Sequence, residues 1–591
     1  MASNSLENVV EMKWECIRRC LLLRLLTGIG KCLGNRGEVQ RAHEVFSECI
    51  SVLVHRSTFR PSRFRISVAF MVDLIEKNVT GDVFAIEHAS ILYNICWFSL
   101  KSLRNDGCEM SVMPLTTIVS GLKLSFILCR EVPLLFKRLV SRLLAVLYTV
   151  SPSNKAFSIM PSVLSESQWA SFFHQASLGT HLNHQLFSRI GKQKTTEADG
   201  FPLPTSTSPS LLKVAPESIS NLEEFIFKFF KDLPCTTIIC ISILGDDYAI
   251  YLKIYCLIIN NHSTPTHAWI LLTRLNSDSI PVVILLPVNS ILSGSSEGDT
   301  FLLNKRVILE ENYTSSSGSL LEDTKKNRSL WWSQRIKLDQ LLGDFLKDME
   351  DSWFGPWKVL LLGDSVQKKS ESDESIPKGC YIGGLKDETH DLILNSISEE
   401  VADRKPVILV LDFQIQMLPW ENLPVLRNQE EKEKEKEKDF PMIDPLDAYY
   451  LLNPGGDLPT TQSNFQNWFK DQNLQGTSGT SPTVDELTTA LKSHDLFMYF
   501  GHGSGVQYIP GDEIQKLDGC AATLLMGCSS GSLSLNGSYT PKGAPLYYLF
   551  AGSPIIVANL WEAREACTLP FLIGASPVCY GVPTGIRNKD L

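Results

Sequence analysis

Apolar residues recur at helical spacing through the first third of the chain. Leu134, Leu135, Leu139, Leu143, Leu144 and Leu147 follow one another at three- and four-residue steps, with Lys137, Arg138 and Arg142 between them. Such steps gather the apolar side chains on one face of a helix. Arg41 to Ile50 has the same pattern. Residues 1–190 are therefore expected to be an α-helical region. No clean period of about 34 residues emerges, so the type of any repeat stays open. A partner-binding solenoid and a plain helical scaffold are equal readings of it. The run Leu21 to Leu26 is broken by Arg24 and reads as a packed helix, and no run approaches the roughly 20 apolar residues that a membrane span needs.

Residues 191–218 are rich in Ser, Thr and Pro, as in Phe201 to Pro209, and read as an exposed linker. The period then shortens. Thr236–Leu244, Ala249–Ile259, Ala268–Thr273 and Pro281–Pro287 read as strands of a sheet with some antiparallel hairpins. A helix is expected at about 333–350, and Trp357 to Leu362 reads as a further buried strand. A second domain is expected from about 375, with Pro406–Asp412 as its clearest early strand. Residues 430–438, all Glu or Lys and largely alternating, read as a disordered insertion or a solvated helical extension. Gly476–Pro482 reads as a loop before a short helix at 484–492.

Two short apolar runs near the carboxyl end carry the chemistry. Asp495 to Phe500 closes in Gly501-His502-Gly503, and Ala521 to Leu525 closes in Met526-Gly527-Cys528-Ser529-Ser530-Gly531. Short, largely apolar runs suit strands buried on both faces of a parallel sheet. Terminal glycines let the chain turn tightly at the carboxyl edge, where open α/β sheets hold their ligands. One strand end offers an imidazole and its neighbour a thiol. That is the layout of a cysteine nucleophile, Cys528, with a histidine partner, His502. The backbone amides of Gly503 and Cys528 are candidates for an oxyanion hole. Asp495 and Asp512 are near only in the chain, and no third orienting residue can be assigned. Ser529 and Ser530 read as a supporting turn, and Cys380 and Cys520 as inert core thiols.

Composition narrows the class further. At 591 residues, 44% apolar and 20% charged, the chain has room for three or four domains with ordinary cores. A formal net charge of −10 argues against direct nucleic-acid binding as the main activity. The 15 cysteines show no disulfide-framework spacing, which suits a reducing compartment. Cys16 and Cys20 are four apart but have no second pair at zinc-finger spacing, so no metal is expected.

Gly501-His-Gly-Ser-Gly-Val-Gln-Tyr508 followed by Met526-Gly-Cys-Ser-Ser-Gly531 closely resembles the active-site region of separases, caspase-related cysteine endopeptidases. The resemblance extends through Trp331-Trp332, Leu418-Pro-Trp-Glu421, Leu451-Leu-Asn-Pro-Gly-Gly-Asp-Leu458 and Pro554-Ile-Ile-Val-Ala-Asn-Leu-Trp561. It covers at least residues 330–562, and more weakly those from about 234. It implies an α/β architecture: a caspase-like α/β/α sandwich at 375–591, a protease-like but non-catalytic substrate domain at 219–374, and the helical region before them. It implies His502 and Cys528 as the catalytic pair, with no metal or organic cofactor. Its implied partners are a securin-type inhibitor and, as protein substrate, the kleisin subunit of cohesin, cut after arginine at anaphase. No nucleic acid or membrane is implied as a partner, and the expected location is cytoplasm and nucleus.

The sequence departs from the family pattern after Trp561-Glu562. Family members continue into an aspartate-rich tract, whereas this chain runs at once into Ala563-Arg-Glu-Ala-Cys-Thr-Leu-Pro570. A substrate guanidinium wants a carboxylate, which the family supplies from that tract; only Glu562 and Glu565 remain nearby. Since Leu572 to Pro583 again resembles the family's carboxyl end, the departure reads as an internal deletion at 562–563. Two alternatives follow: an impaired form acting only through partner binding, and another caspase-related peptidase.

Overall fold

The computed structural model describes residues 2–54, 84–102, 114–129, 134–151, 162–179, 215–245 (except 217 and 235), 268–288 (except 278), 325–363, 407–427 (except 413, 414 and 417), 443–534, 541–560 and 578–581, together with Tyr248, Leu252 and Arg404. The chain forms two compact units, one of Met1–Cys235, Leu244–Leu286 and Tyr381–Thr389, the other of the remainder. The segment expected as a substrate domain, 219–374, contributes to both. The charged insertion at 430–438, nearly all of the linker, Cys380 and the 562–563 junction lie outside the described residues.

The first unit is helical where expected. Its helices are α1 (Ala2–Asn35), α2 (Val39–Val54), α3 (Ala85–Ser102), α4 (Leu115–Leu128) and α5 (Leu134–Val150), with a further helical stretch at 166–179 and α6 at Leu222–Lys231. Gly37, at φ +85°, ends α1 in a left-handed turn in which Glu38 N donates to the Leu33 carbonyl at 3.0 Å. Small residues on α1 let its neighbours close in. A Cβ on Gly30 or Gly34 would stand 2.6 Å from the Phe46 ring or 2.4 Å from that of Phe98. Leu23, Phe46, Leu92, Phe98, Leu122, Phe126, Leu143 and Phe173 share one core. His174 is sealed within this unit, its Nδ1 2.7 Å from Thr273 Oγ1. Burial, helped by Arg142, pushes its imidazole far below the usual range, so it is a neutral packing group.

Strands β1 (Thr237–Leu244), β2 (Ala268–Leu275) and β3 (Val282–Val288) form where the short period predicts them. Of the candidate Ala249–Ile259 only Leu252 is described, and it is helical. Trp357 to Leu362 is not a strand. After α7 (Lys325–Asp348) and a wide turn at Met349–Phe354, residues Gly355–Leu361 form a 3-10 helix. Gly355 turns at φ +51° and Pro356 starts the new helix, so Trp357, Leu360 and Leu361 are buried in helical geometry. A short buried apolar run has no periodicity with which to tell the two conformations apart.

Strand β4 (Val407–Leu411) also departs from expectation. It does not lie in the sheet that carries the glycine turns but pairs in parallel with β1, Ile239 opposite Leu409. That other sheet begins at β5 (Ala448–Leu452) and continues with α8 (Pro459–Asp471), β6 (Gln475–Ser478), α9 (Val484–Ser493), β7 (Leu496–Phe500), α10 (Gly511–Gln515), β8 (Ala522–Leu525), α11 (Ala544–Phe550), β9 (Ile555–Ala558) and β10 (Val578–Gly581). The strand order is β10-β9-β8-β7-β5-β6, parallel except for β10, which runs antiparallel beside β9.

Alternate residues of β7 explain its wholly apolar character. Phe497 and Tyr499 pack with Leu487, Ile514 and Tyr548 from α9, α10 and α11 on one face. Leu496, Met498 and Phe500 pack with Phe465 and Phe469 of α8 on the other. The result is a three-layer α/β/α sandwich, the architecture expected of a caspase-like domain. The Gly476–Pro482 loop is partly wrong, because Gln475–Ser478 is an edge strand. Pairing there is through the backbone, and Gly476 lies under Tyr450, where a Cβ would be 2.5 Å from the ring. Helix α9 opens with a full capping box, Thr483 and Glu486 each bonding the other's backbone amide.

Glu421, in the Leu-Pro-Trp-Glu segment, has its Oε1 shut off from water without a hydrogen-bond partner among the described residues. Burial pushes its carboxyl up to about 7. The folded chain therefore binds more protons than the unfolded one between the ordinary carboxylate value and pH 7, and this group's contribution to stability falls as pH rises through that window. Glu421→Gln is expected to raise the unfolding midpoint over the parent at pH 8 and to lose that advantage at pH 5, as denaturant titrations at the two pH values would show.

Candidate active site

The site is built by the register of two strands. Leu496 lies opposite Ala522 and Tyr499 opposite Leu525, an offset of 26 residues. Met526 N continues the ladder, donating to the Tyr499 carbonyl at 2.9 Å. His502 and Cys528 are separated by the same offset, so the two turns leave the same sheet edge side by side. Gly527 confirms their apposition. A Cβ there would stand 1.9 Å from the Gly503 carbonyl oxygen and 2.6 Å from that of Gly501. The backbones on either side of His502 thus press directly on the residue before Cys528, and no side chain fits between them.

Each turn is pinned by its own bonds. Gly503 (φ +62°) and Gly505 (φ +79°) bend the first turn in the left-handed region. The Tyr499 hydroxyl donates to the His502 carbonyl at 2.6 Å, and Gln507 Nε2 donates to the same oxygen at 3.0 Å. Burial, then the charge of Tyr508, pushes the Tyr499 phenol up, so it stays a donor. In the second turn Ser529 takes φ +49°, a conformation that costs a non-glycine residue free energy. Ser530 Oγ donates to the Leu525 carbonyl at 2.6 Å and accepts from Asn559 N at 3.1 Å. Asn559 Nδ2 reaches the Gly527 carbonyl at 3.2 Å. Ser530 is thus the supporting residue that the sequence suggests, and Cys528 itself is half-buried beside it. Cys520 is buried, its thiol pushed up to about 12, which suits an inert core residue.

The structure adds one residue that sequence reasoning missed. Asp457 Oδ2 lies 3.2 Å from His502 Nε2, both side chains about 60% exposed. Asp457 stands in the turn after β5, the strand next to β7 on the side away from β8. Asn453 shapes that turn: at φ +49°, its Oδ1 accepts from Leu458 N at 2.9 Å, and its backbone N–H donates to the Phe500 carbonyl at 2.7 Å. Three consecutive strand ends therefore line up a carboxylate, an imidazole and a thiol. The signal was the Asn-Pro-Gly-Gly-Asp turn, whose aspartate ends a strand as His502 and Cys528 do. Asp495, by contrast, is at the opposite end of β7, accepting from Asp444 N at 3.0 Å, and Asp512 begins α10. The positions of Gly503 and Cys528 leave both amides on the turns that face each other. Among the described residues no His, Cys, Asp and Glu side chains group as a metal site.

The family profile described as "Separin, protease domain" matches residues 265–377 and 383–563, spanning every feature of this site. The chain belongs to the separin family. The separin of Emericella nidulans is 28% identical over 453 residues, covering 53% of this chain and 22% of that protein. The Mus musculus separin is 25% identical over 412 residues (54% and 19%), and that of Schizosaccharomyces pombe 25% over 440 (53% and 24%). The chain thus spans about a fifth of the length of the curated relatives it matches. Two crystal structures of the Saccharomyces cerevisiae separase–securin complex align with it at 13% and 16% identity. Their TM-scores are 0.43 and 0.45, with 94% and 92% of this chain covered and 59% and 44% of theirs.

The close approach at Gly527 makes a direct prediction for this separin domain. Gly527→Ala is expected to cost about 3 kcal/mol, because the added methyl would collide with the Gly501 and Gly503 backbone rather than with movable side chains. A lowered denaturation midpoint, together with lost reactivity of Cys528 toward a thiol-directed probe, would show the two turns forced apart. An unchanged midpoint would contradict the packing.

Proposed function

We propose that this chain is a separase-type cysteine endopeptidase. The observation that carries the proposal is the shared register that sets His502 and Cys528 on adjacent turns, with Gly527 packed against Gly501 and Gly503. In this reading the Cys528 thiolate attacks the carbonyl carbon of the scissile peptide bond. The electron pair moves to the oxygen, which the Gly503 and Cys528 amides hold. Collapse of that intermediate expels the amine, protonated by His502, and leaves a thioester; water then releases the carboxylic acid and restores the thiol. Asp457 orients His502 through Nε2, so that Nδ1 is left for the sulfur side. The substrate class is an arginyl peptide bond in the kleisin subunit of cohesin, and the inhibitor a securin-type chain. Securin accompanies the yeast structures that align with this chain, and both assignments to this protein rest on family membership. A linker at 191–218, and action in cytoplasm and nucleus, belong to the same proposal.

A second reading is favoured by one observation, the direct step from Trp561-Glu562 to Ala563 where the family has an aspartate-rich tract. A chain without that tract keeps its nucleophile but lacks a carboxylate for the substrate guanidinium, and an unpaired guanidinium in a closed site costs several kcal/mol.

An arginyl peptide and an acyloxymethyl-ketone probe separate the two. The first reading expects both labelling of Cys528 and cleavage after arginine; the second expects labelling alone. In either case Cys528→Ala and His502→Ala should abolish the reaction measured. Asp457→Asn is expected to slow labelling by about two- to fivefold, the range for loss of an exposed ionic contact. Labelling undiminished by His502→Ala would contradict the assignment of the pair.

A further inference from the structure

Helix α1 has two apolar sides, and the first unit buries one of them. Leu23, Thr27, Gly30 and Gly34 face inward, with Phe46 and Phe98 against the two glycines. On the opposite side stand Val10, Trp14, Ile17, Leu21 and Leu25, at successive steps of four, three, four and four residues. Their exposures are 49%, 66%, 40%, 62% and 62%. At 3.6 residues per turn these five fall within about 80° of arc. An ordinary surface helix is polar on its outer side, and one that is apolar on both sides is covered on both.

The stripe's borders say what covers it. Lys13, Arg24 and Lys31 lie along one edge, and Arg18 is on the other. The acids on this helix are Glu7, Glu11 and Glu15, outnumbered by Lys13, Arg18, Arg19, Arg24 and Lys31, and Glu15 is already bonded to Arg18 and Arg19. Arg24 reaches Glu87 at 3.2 Å yet keeps its side chain 66% exposed. On a chain of formal charge −10, this face is locally positive. A second copy is a poor occupant, because a two-fold antiparallel pair sets each basic edge against its own image. A lipid surface also suits a broader apolar face than this narrow seam, whose four-three spacing is that of helix-on-helix packing.

We propose that the outer stripe of α1 is a docking seam for an amphipathic helix of a partner protein. That helix carries leucine-like residues at heptad spacing and aspartate or glutamate on the edge meeting Lys13, Arg24 and Lys31.

The test uses the full chain and two synthetic helices of about four heptads. Both have leucine at the core positions; one is flanked by glutamate and the other by lysine. The glutamate helix is expected to bind, more weakly as salt rises, with the lysine helix at least about tenfold weaker. Leu21→Glu with Leu25→Glu should abolish binding while the melting temperature holds, since both side chains are exposed. Lys13→Glu with Lys31→Glu should turn the preference toward the lysine helix. The proposal is overturned if neither helix binds, if both bind alike, or if binding survives the leucine changes. It is equally overturned if anionic vesicles take the stripe in place of both helices, or if sedimentation shows the chain pairing with itself through Leu21 and Leu25.

Discussion

The geometry of the site depends on a missing side chain. Gly527 lets the turn after β8 lie directly against the carbonyls of Gly501 and Gly503, and nothing larger than hydrogen fits there. Parallel strands are about 4.8 Å apart, so turns leaving one edge side by side can touch backbone to backbone where a residue carries no side chain. Gly527 alone makes that contact possible, whereas Gly503 and Gly505 supply the left-handed bends of the first turn. The turns that carry His502 and Cys528 then stand side by side at that edge. The sheet's hydrogen bonds, rather than any contact between the two functional side chains, set their relation.

A turn freed of side chains is also free to move, and the surrounding bonds counter that freedom. The His502 carbonyl takes two donors, Tyr499 and Gln507. The second turn is tied by Ser530 to the end of β8 and by Asn559 to the end of β9. These bonds engage backbone atoms and leave the reacting side chains out. The positive φ of Ser529, directly after Cys528, fits the same division of labour, because the strain falls on a residue whose neighbours are held.

Much of this was legible in the sequence, for identifiable reasons. A strand buried on both faces is a run of apolar residues, and glycine after it marks a turn at the carboxyl edge, so β7, β8 and their two functional residues could be read directly. Asp457 was not, because the carboxylate reaches His502 only once β5 is placed beside β7, and strand order is a long-range property. The edge strand Gln475–Ser478 was missed because backbone pairing at a sheet margin leaves no hydrophobic pattern. Trp357 to Leu361 and Val407–Leu411 show a further limit. A short apolar run announces burial, but neither its conformation nor which sheet it joins.

The exposure of the Asp457–His502 pair bears on when it acts. With both side chains about 60% open to water, the contact is screened and contributes little in the unliganded chain. In the proposed reaction, a peptide seated across the three strand ends would displace that water. The contact between Asp457 and His502 would then be less screened, as the local dielectric falls. In the proposed reading, an open His–Asp pair beside a half-buried thiol suits a peptidase, because a bound peptide would complete the environment of the pair.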